Sequence, residues 1–374
     1  MLIKCILKVG CILVNIPFWL SACLKLAISV SIFSILPSYL TVIEQHLTLS
    51  ATLLNYLATT ELMGFALACA INYYFLRHNF RFNDNVALAL LCLCHLSSAF
   101  ISDVSLFFIM RGLAGVCAGL VIVRCYEVLG AEENPDAAFG KAIAIQMLTT
   151  AVLFLLLPSL VNYYDTSIFF IALGVLVAFT LLLKPLSVPN SKVSKLSEEI
   201  DLTVVLISLS AMVMVILTHS AIWSTLGAYA IAHHIELGDQ GLLFAFGTLF
   251  SVAGAILATF PVAHQRKTLI LSIAICLQCL VVSTMLTGDD MVSFIIATCI
   301  FQLLWNLIVP LVMGTMASGR YGNVVIRFTL AAQTLGAALG PLMLVPGWVL
   351  PEVIGLLLIT YLLVSSTIKI QKSL

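Results

Sequence analysis

Lys25, Glu61 and Arg111 carry the chemistry that stands out, because each lies inside a run of apolar or small side chains. An unpaired charge at a bilayer centre costs about 2.5–3.5 kcal/mol on insertion scales, so such groups pair, titrate or meet a polar solute. With helix limits near 14–36 and 49–73, Lys25 and Glu61 fall at the midpoints of consecutive helices. The spacing predicts a Lys25–Glu61 charge pair that either handles protons or fixes the two helices. Ser21, Lys25 and Ser29 share a helix face, so the ammonium is expected to look into protein or water and not into lipid. Arg111 lies roughly 11 Å from one membrane surface. Its guanidinium keeps its proton and needs an acceptor: a carbonyl, the Lys25–Glu61 group or a solute. Two deep cations against one deep carboxylate predict an anionic or zwitterionic solute.

Softer chemistry lies further along. His219 and Trp223 are one turn apart, and Gln302, Trp305 and Asn306 cluster in "FQLLWN". An aromatic ring with amide donors suits an organic molecule in a largely apolar cavity. His219 is read either as a proton or substrate group or as a satisfied core histidine. Gln146 and Gln333 hold similar places in a weak internal echo (Lys141–Gln146–Pro158 against Arg327–Gln333–Pro346) and join the solute-binding candidates.

The elements that position these groups follow from composition. The 374 residues are 62% hydrophobic and 9% charged, with a mean hydropathy of +1.16. A soluble chain carries about 25% charged residues. Apolar runs of membrane-spanning length occur near 14–37, 50–73, 85–101, 104–123, 139–159, 167–183, 202–229, 241–260, 268–286, 292–316, 324–345 and 350–368. Assigning alternate connections to opposite sides puts every Lys and Arg except Lys25 and Arg111 on the side of the termini. The other side, around 38–49, 102–103, 160–166, 230–240, 287–291 and 346–349, receives none. The positive-inside rule therefore predicts twelve spans, a multi-pass integral membrane protein and cytoplasmic termini.

The mid-chain stretch "KPLSVPNSKVSKLSEEID" (Lys184 to Asp201) divides the spans six and six. The expected units are a bundle at 1–183, a cytoplasmic linker at 184–201 and a second bundle at 202–374. Small residues at helical spacing (Ala58, Gly64 and Ala68; Gly115 and Gly119; Gly247, Ser251 and Gly254; Gly336 and Gly340) predict close helix packing in lipid. Lys4, Lys8 and "LSAC" (Leu20 to Cys23) resemble a lipoprotein signal, but cleavage would break the charge pattern, so an uncleaved first helix is expected.

Several functions are disfavoured. A net charge of zero gives no bulk attraction to nucleic acid. No Walker phosphate loop, His-Glu-x-x-His pair or Gly-x-Ser-x-Gly element occurs, so neither an ATP-driven pump nor an enzyme is expected. Cys276-x-x-Cys279 and the His233, His234 and Glu236 group are read as packing and as a solvated helix end, so no metal or other cofactor is expected.

The six-plus-six layout, the linker, "RGLAGVCAGLVIV" (Arg111 to Val123), "LP" (Leu36, Pro37) and "LGAALGP" (Leu335 to Pro341) together resemble the major facilitator superfamily. The loop "NYYFLRHNFRFND" keeps Arg77 and Arg81 of a family motif but lacks its glycines, "PVAHQRK" (Pro261 to Lys267) is equally degenerate, and the fifth span lacks the drug-antiporter pattern. The resemblance implies an all-α fold in which spans 1, 4, 7 and 10 line a cavity between two bundles. It implies a monomeric secondary transporter of a small organic solute in a bacterial inner membrane. The first expectation is proton-coupled export of an anionic, zwitterionic or amphipathic metabolite. Multidrug efflux, nutrient uptake and a non-transporting scaffold or receptor are the alternatives.

Overall fold

A computed structural model describes residues 16–78, 80, 82–132, 135–186, 201–318, 322–343 and 349–373. Lys4, Lys8, Arg81, Arg320, Pro346 and most of the linker lie outside them. Among the described residues every regular element is helical: α1 Phe18–Ser29, α2 Ser31–Ser34, α3 Leu36–Leu47, α4 Ala51–Arg77, α5 Asp84–Ser98, α6 Val104–Gly130, α7 Pro135–Tyr163 and α8 Ser167–Leu181. Then follow α9 Leu202–Ala232, α10 Leu237–Thr259, α11 Pro261–Gln265, α12 Lys267–Thr287, α13 Met291–Ser318, α14 Gly322–Leu339 with a 3-10 turn at Gly340–Met343, and α15 Val349–Ser373. Helices suit such an apolar chain because each satisfies its own backbone without water. Seven described helices (α4, α6, α7, α9, α10, α12 and α13) are long and apolar enough to cross a membrane. Five shorter apolar helical segments accompany them. Large apolar side chains such as Leu67, Leu93, Leu148, Leu242, Leu280 and Leu362 cover the outside of the assembly.

The stretch expected to form the first span departs from that form. It is not one helix ending near residue 36. It breaks at Val30 and again at Ile35, and it then continues as α3 to Leu47, closing on Thr48 in the left-handed region. Proline explains the upper break. Pro37 has no N–H to offer the carbonyl four residues back, at Phe33, and its ring favours the start of a new helix. The helix therefore runs about eleven residues, or roughly 16 Å, further than the apolar pattern suggests.

Glycines set the closest packing. A Cβ on Gly64 would lie 2.5 Å from the backbone nitrogen of Val116, and one on Gly119 2.6 Å from the Ala68 methyl. A Cβ on Gly115 would collide with the Glu61 carbonyl. The backbones of α4 and α6 thus touch along three turns. Gly254 of α10 sits against the Leu303 carbonyl of α13, and Gly336 and Gly340 sit against α9. Helices remote in sequence meet closely as well: Gly227 of α9 abuts the Pro37 carbonyl of α3, and Gly241 of α10 abuts Phe154 of α7.

Candidate functional site

The tight α4–α6 contact presents Glu61 to Arg111. Arg111 Nη2 lies 2.6 Å from Glu61 Oε1, and its Nε donates to Oε2 at 3.3 Å. Tyr39 of α3 donates its hydroxyl to the same Oε2 at 2.5 Å. On its other side Arg111 Nη1 donates to Ser98 Oγ at 3.2 Å and to His95 Nδ1 at 3.3 Å. Because a guanidinium has no acceptor, His95 accepts through Nδ1. Tyr39 and Phe170 place their rings 5.9 and 5.8 Å from the guanidinium carbon. All five polar side chains are at least 98% buried. Tyr39, His95 and Ser98 escape sequence reading because uncharged polar residues are common in apolar helices. The signals available were His95 as the one histidine of its span, next to Ser97 and Ser98, and Tyr39 two residues beyond Pro37.

Lys25 does not pair with Glu61. Its Nζ lies 2.6 Å from Asp84 Oδ2 and 3.4 Å from Asn85 Oδ1. The expected level was wrong because α1–α3 reaches Leu47: Lys25 sits only seven residues, about 10 Å, from the start of α1 at Phe18. Asp84 opens α5, where Asn83 caps the helix by accepting from Asn85 N–H. Its carboxylate oxygens also accept the Leu186 N–H, each at 3.2 Å. Ser21 Oγ bonds the Lys184 carbonyl, and Arg124 Nη2 bonds that of Leu186 at 3.2 Å. Arg124 in turn meets Glu127 at 2.6 Å, and Glu127 accepts from Asn72. This buried network fastens the segment after α8 onto the ends of α1, α4, α5 and α6. It also removes the excess of positive charge expected from two cations and one carboxylate: Asp84 balances Lys25, and Glu61 balances Arg111.

A third group forms where the broken first span meets α9 and α13. The Phe33 carbonyl freed by Pro37 accepts the Trp223 indole N–H at 3.0 Å. Trp305 packs edge-on against Phe33 with centroids 6.1 Å apart, and it stacks on His219 at 5.1 Å and 16°. His219 Nδ1 lies 2.6 Å from the Val215 carbonyl, and its buried Nε2 has no hydrogen-bond partner. Trp305, Phe33, Asn306, Gln146 and Gln333 are only partly buried. Gln146 Nε2 reaches Ser34 Oγ at 3.4 Å. Gln333 Nε2 has Met313 Sδ at 3.2 Å. The expected cluster of Gln302, Trp305 and Asn306 is divided: Gln302 is buried against Gly247 and accepts from Ser251 Oγ at 3.2 Å on α10. Asn306 donates to the Gln302 carbonyl at 3.3 Å. The arrangement offers aromatic faces and amides with a neutral balance of charge, suited to a flat or amphipathic organic molecule.

No family model matches the chain, and no curated protein matches it by sequence. Solved structures match it by fold. The nucleoside transporter NupG superposes with a TM-score of 0.66 at 10% identity, covering 95% of this chain and 99% of that one. A partially occluded, inward-open conformation of the xylose transporter XylE from E. coli gives 0.70 at 14% identity, covering 94% and 98%. A D-xylose-proton symporter gives 0.67 at 13% identity, covering 92% and 96%. At such identities the likeness is one of fold.

Proposed function

Since the chain has the major facilitator fold, we propose that it is a secondary transporter that moves a small organic solute by alternating access, coupled to protons. In this reading α1 to α8 form one six-span bundle (1–183) and α9 to α15 the other (202–374), joined on the cytoplasmic side by residues 184–201. The first span is α1–α3 and the eleventh is α14 with its 3-10 turn. Both termini face the cytoplasm of a bacterial inner membrane, as the basic connections ask, and the chain works as a monomer.

The observation that carries the reading is the partly exposed polar and aromatic group at the meeting of the two bundles, with the unpartnered Nε2 of His219 in its wall. Phe33, Gln146, Trp305, Asn306 and Gln333 contact the solute, with Trp223 and His219 behind them. Gln302 supports α13 from the side of α10. Because the buried charges balance, the solute is neutral or zwitterionic and amphipathic, and it has no need of a net negative charge. The structural neighbours are a nucleoside transporter and a xylose transporter, whose solutes fit that class. Glu61 is the proton carrier. Its protonation removes the counter-charge of Arg111 and turns one carboxyl oxygen into a donor, leaving the guanidinium to lean on Ser98, His95 and the Tyr39 ring. A second reading, a scaffold on the same fold, draws on the same network, because all three Arg111 nitrogens already have partners.

Reconstituted vesicles separate the two readings. A solute found by thermal-shift screening should accumulate under an imposed proton gradient. Glu61→Gln should abolish that accumulation while sparing solute exchange at equal pH. Proton-driven accumulation with unchanged coupling in Glu61→Gln removes Glu61 from the role, and failure of every stabilising solute to cross favours the scaffold.

A further inference from the structure

A cavity of about 280 Å³ opens between α3, α4 and α9 on the face away from the basic connections. Its wall carries Glu44, Asn55 and Tyr229, whose side chains make no hydrogen bond or ion pair with another described residue. Thr41, Ser224 and Thr225 add hydroxyl oxygens, each of which already donates to a backbone carbonyl and so has only acceptor capacity to spare. Among the described residues Glu44 is the only charged one in the lining.

Three further features fix the sign of a guest. Glu44 and Tyr229 lie in the final turns of α3 and α9, where the outward carbonyls carry partial negative charge. The opposing helix start, α4, already has a partner at its first turn, because Leu53 N–H donates to Ser50 Oγ. The stretches 38–49, 102–103, 160–166, 230–240, 287–291 and 346–349, assigned to this side, hold seven carboxylates (Glu44, Asp103, Asp165, Glu236, Asp239, Asp289 and Asp290) and no Lys or Arg. A face of one sign concentrates counter-ions ahead of any specific contact.

We infer that this cavity is a binding site for a small organic ammonium ion, with Glu44 as counter-charge, the Tyr229 ring as a cation–π face and Asn55 as a hydrogen-bonding group. Its size suits an alkylammonium better than a bare metal ion, which would leave most of the space unfilled. The guest touches α3 and α4 on one side and α9 on the other. It therefore ties together helices remote in sequence and favours the arrangement in which they are in contact. The site is separate from the Trp305 group and stands whether or not the solute proposed above is correct.

Thermal unfolding of the purified full chain, titrated with choline chloride at fixed ionic strength, tests the assignment. A saturable rise in midpoint is expected with choline. Glu44→Gln and Tyr229→Leu should each raise the half-saturating concentration about tenfold or more. Both residues reach the surface of the cavity, so the unliganded midpoints should stay near that of the parent. The inference is overturned by an unsaturable response to choline, by equal saturation in Glu44→Gln, or by equal stabilisation with sodium chloride or sodium acetate.

Discussion

The Lys25–Asp84 contact gives the sharpest quantitative expectation. The Lys25 side chain is 0% exposed and that of Asp84 4%, with 2.6 Å between Nζ and Oδ2. Lys25→Met keeps the length of the side chain and removes its charge. The carboxylate is then left buried with the Leu186 N–H as its main partner. Breaking a buried pair from one side costs about 3–5 kcal/mol, or roughly a 150- to 5,000-fold change in the unfolding equilibrium. Lys25→Met/Asp84→Asn removes both charges, and the Asn oxygen can still accept from Leu186. The residual cost should approach that of one hydrogen bond, about 1 kcal/mol. Asp84→Asn alone strands the buried ammonium at a similar cost, so the two single losses together exceed that of the pair and the double-mutant cycle should return a coupling of several kcal/mol. Equilibrium unfolding in mixed micelles, followed by tryptophan fluorescence, measures all four variants. A Lys25→Met protein within about 0.5 kcal/mol of the parent, or a cycle that closes to zero, would refute the view that this ammonium is architectural.

Two other expectations follow from packing. Gly115→Ala places a methyl on the Glu61 carbonyl, so α4 and α6 must part. A loss of about 1–3 kcal/mol is expected, against no loss for Gly130→Ala, where nothing lies within 4 Å; thermal midpoints of the pair decide it. Trp223→Phe keeps the ring contacts with Phe154 and Phe244 but strands the Phe33 carbonyl. Spin-label distances between the outer ends of α3 and α9 should broaden or lengthen, and an unchanged distribution would show that the indole N–H is not a latch.

What the residues disclosed and what they withheld divide along a physical line. Apolar period and charge segregation follow from the bilayer, so the all-helical, multi-pass character and the need of Arg111 for an acceptor could be read directly, while the fold rested on the resemblance of short motifs. The convergence of His219, Trp223 and Trp305 could be read only as types suited to one task. The partner of Lys25 could not be found by counting depth. The count assumed that the span stopped where "LP" interrupts it, whereas Pro37 restarts a helix instead of ending one. Asp84 was hidden by standing at the first turn of α5, where an acid is ordinarily a surface group complementing the helix dipole. Gln302 looked equivalent to Trp305 because helical spacing gives proximity along one element and not the identity of the neighbour on each side.

The broken first span has a mechanical consequence. Its lower rod is pinned through Lys25 to α5, and its upper rod through Tyr39 to Glu61, with the single helical turn α2 and the irregular residues Val30 and Ile35 between them. Val30 and Ile35 let the two rods take different tilts while helical hydrogen bonds still run between them, as from Ser34 N–H to the Val30 carbonyl and from Tyr39 N–H to that of Ile35.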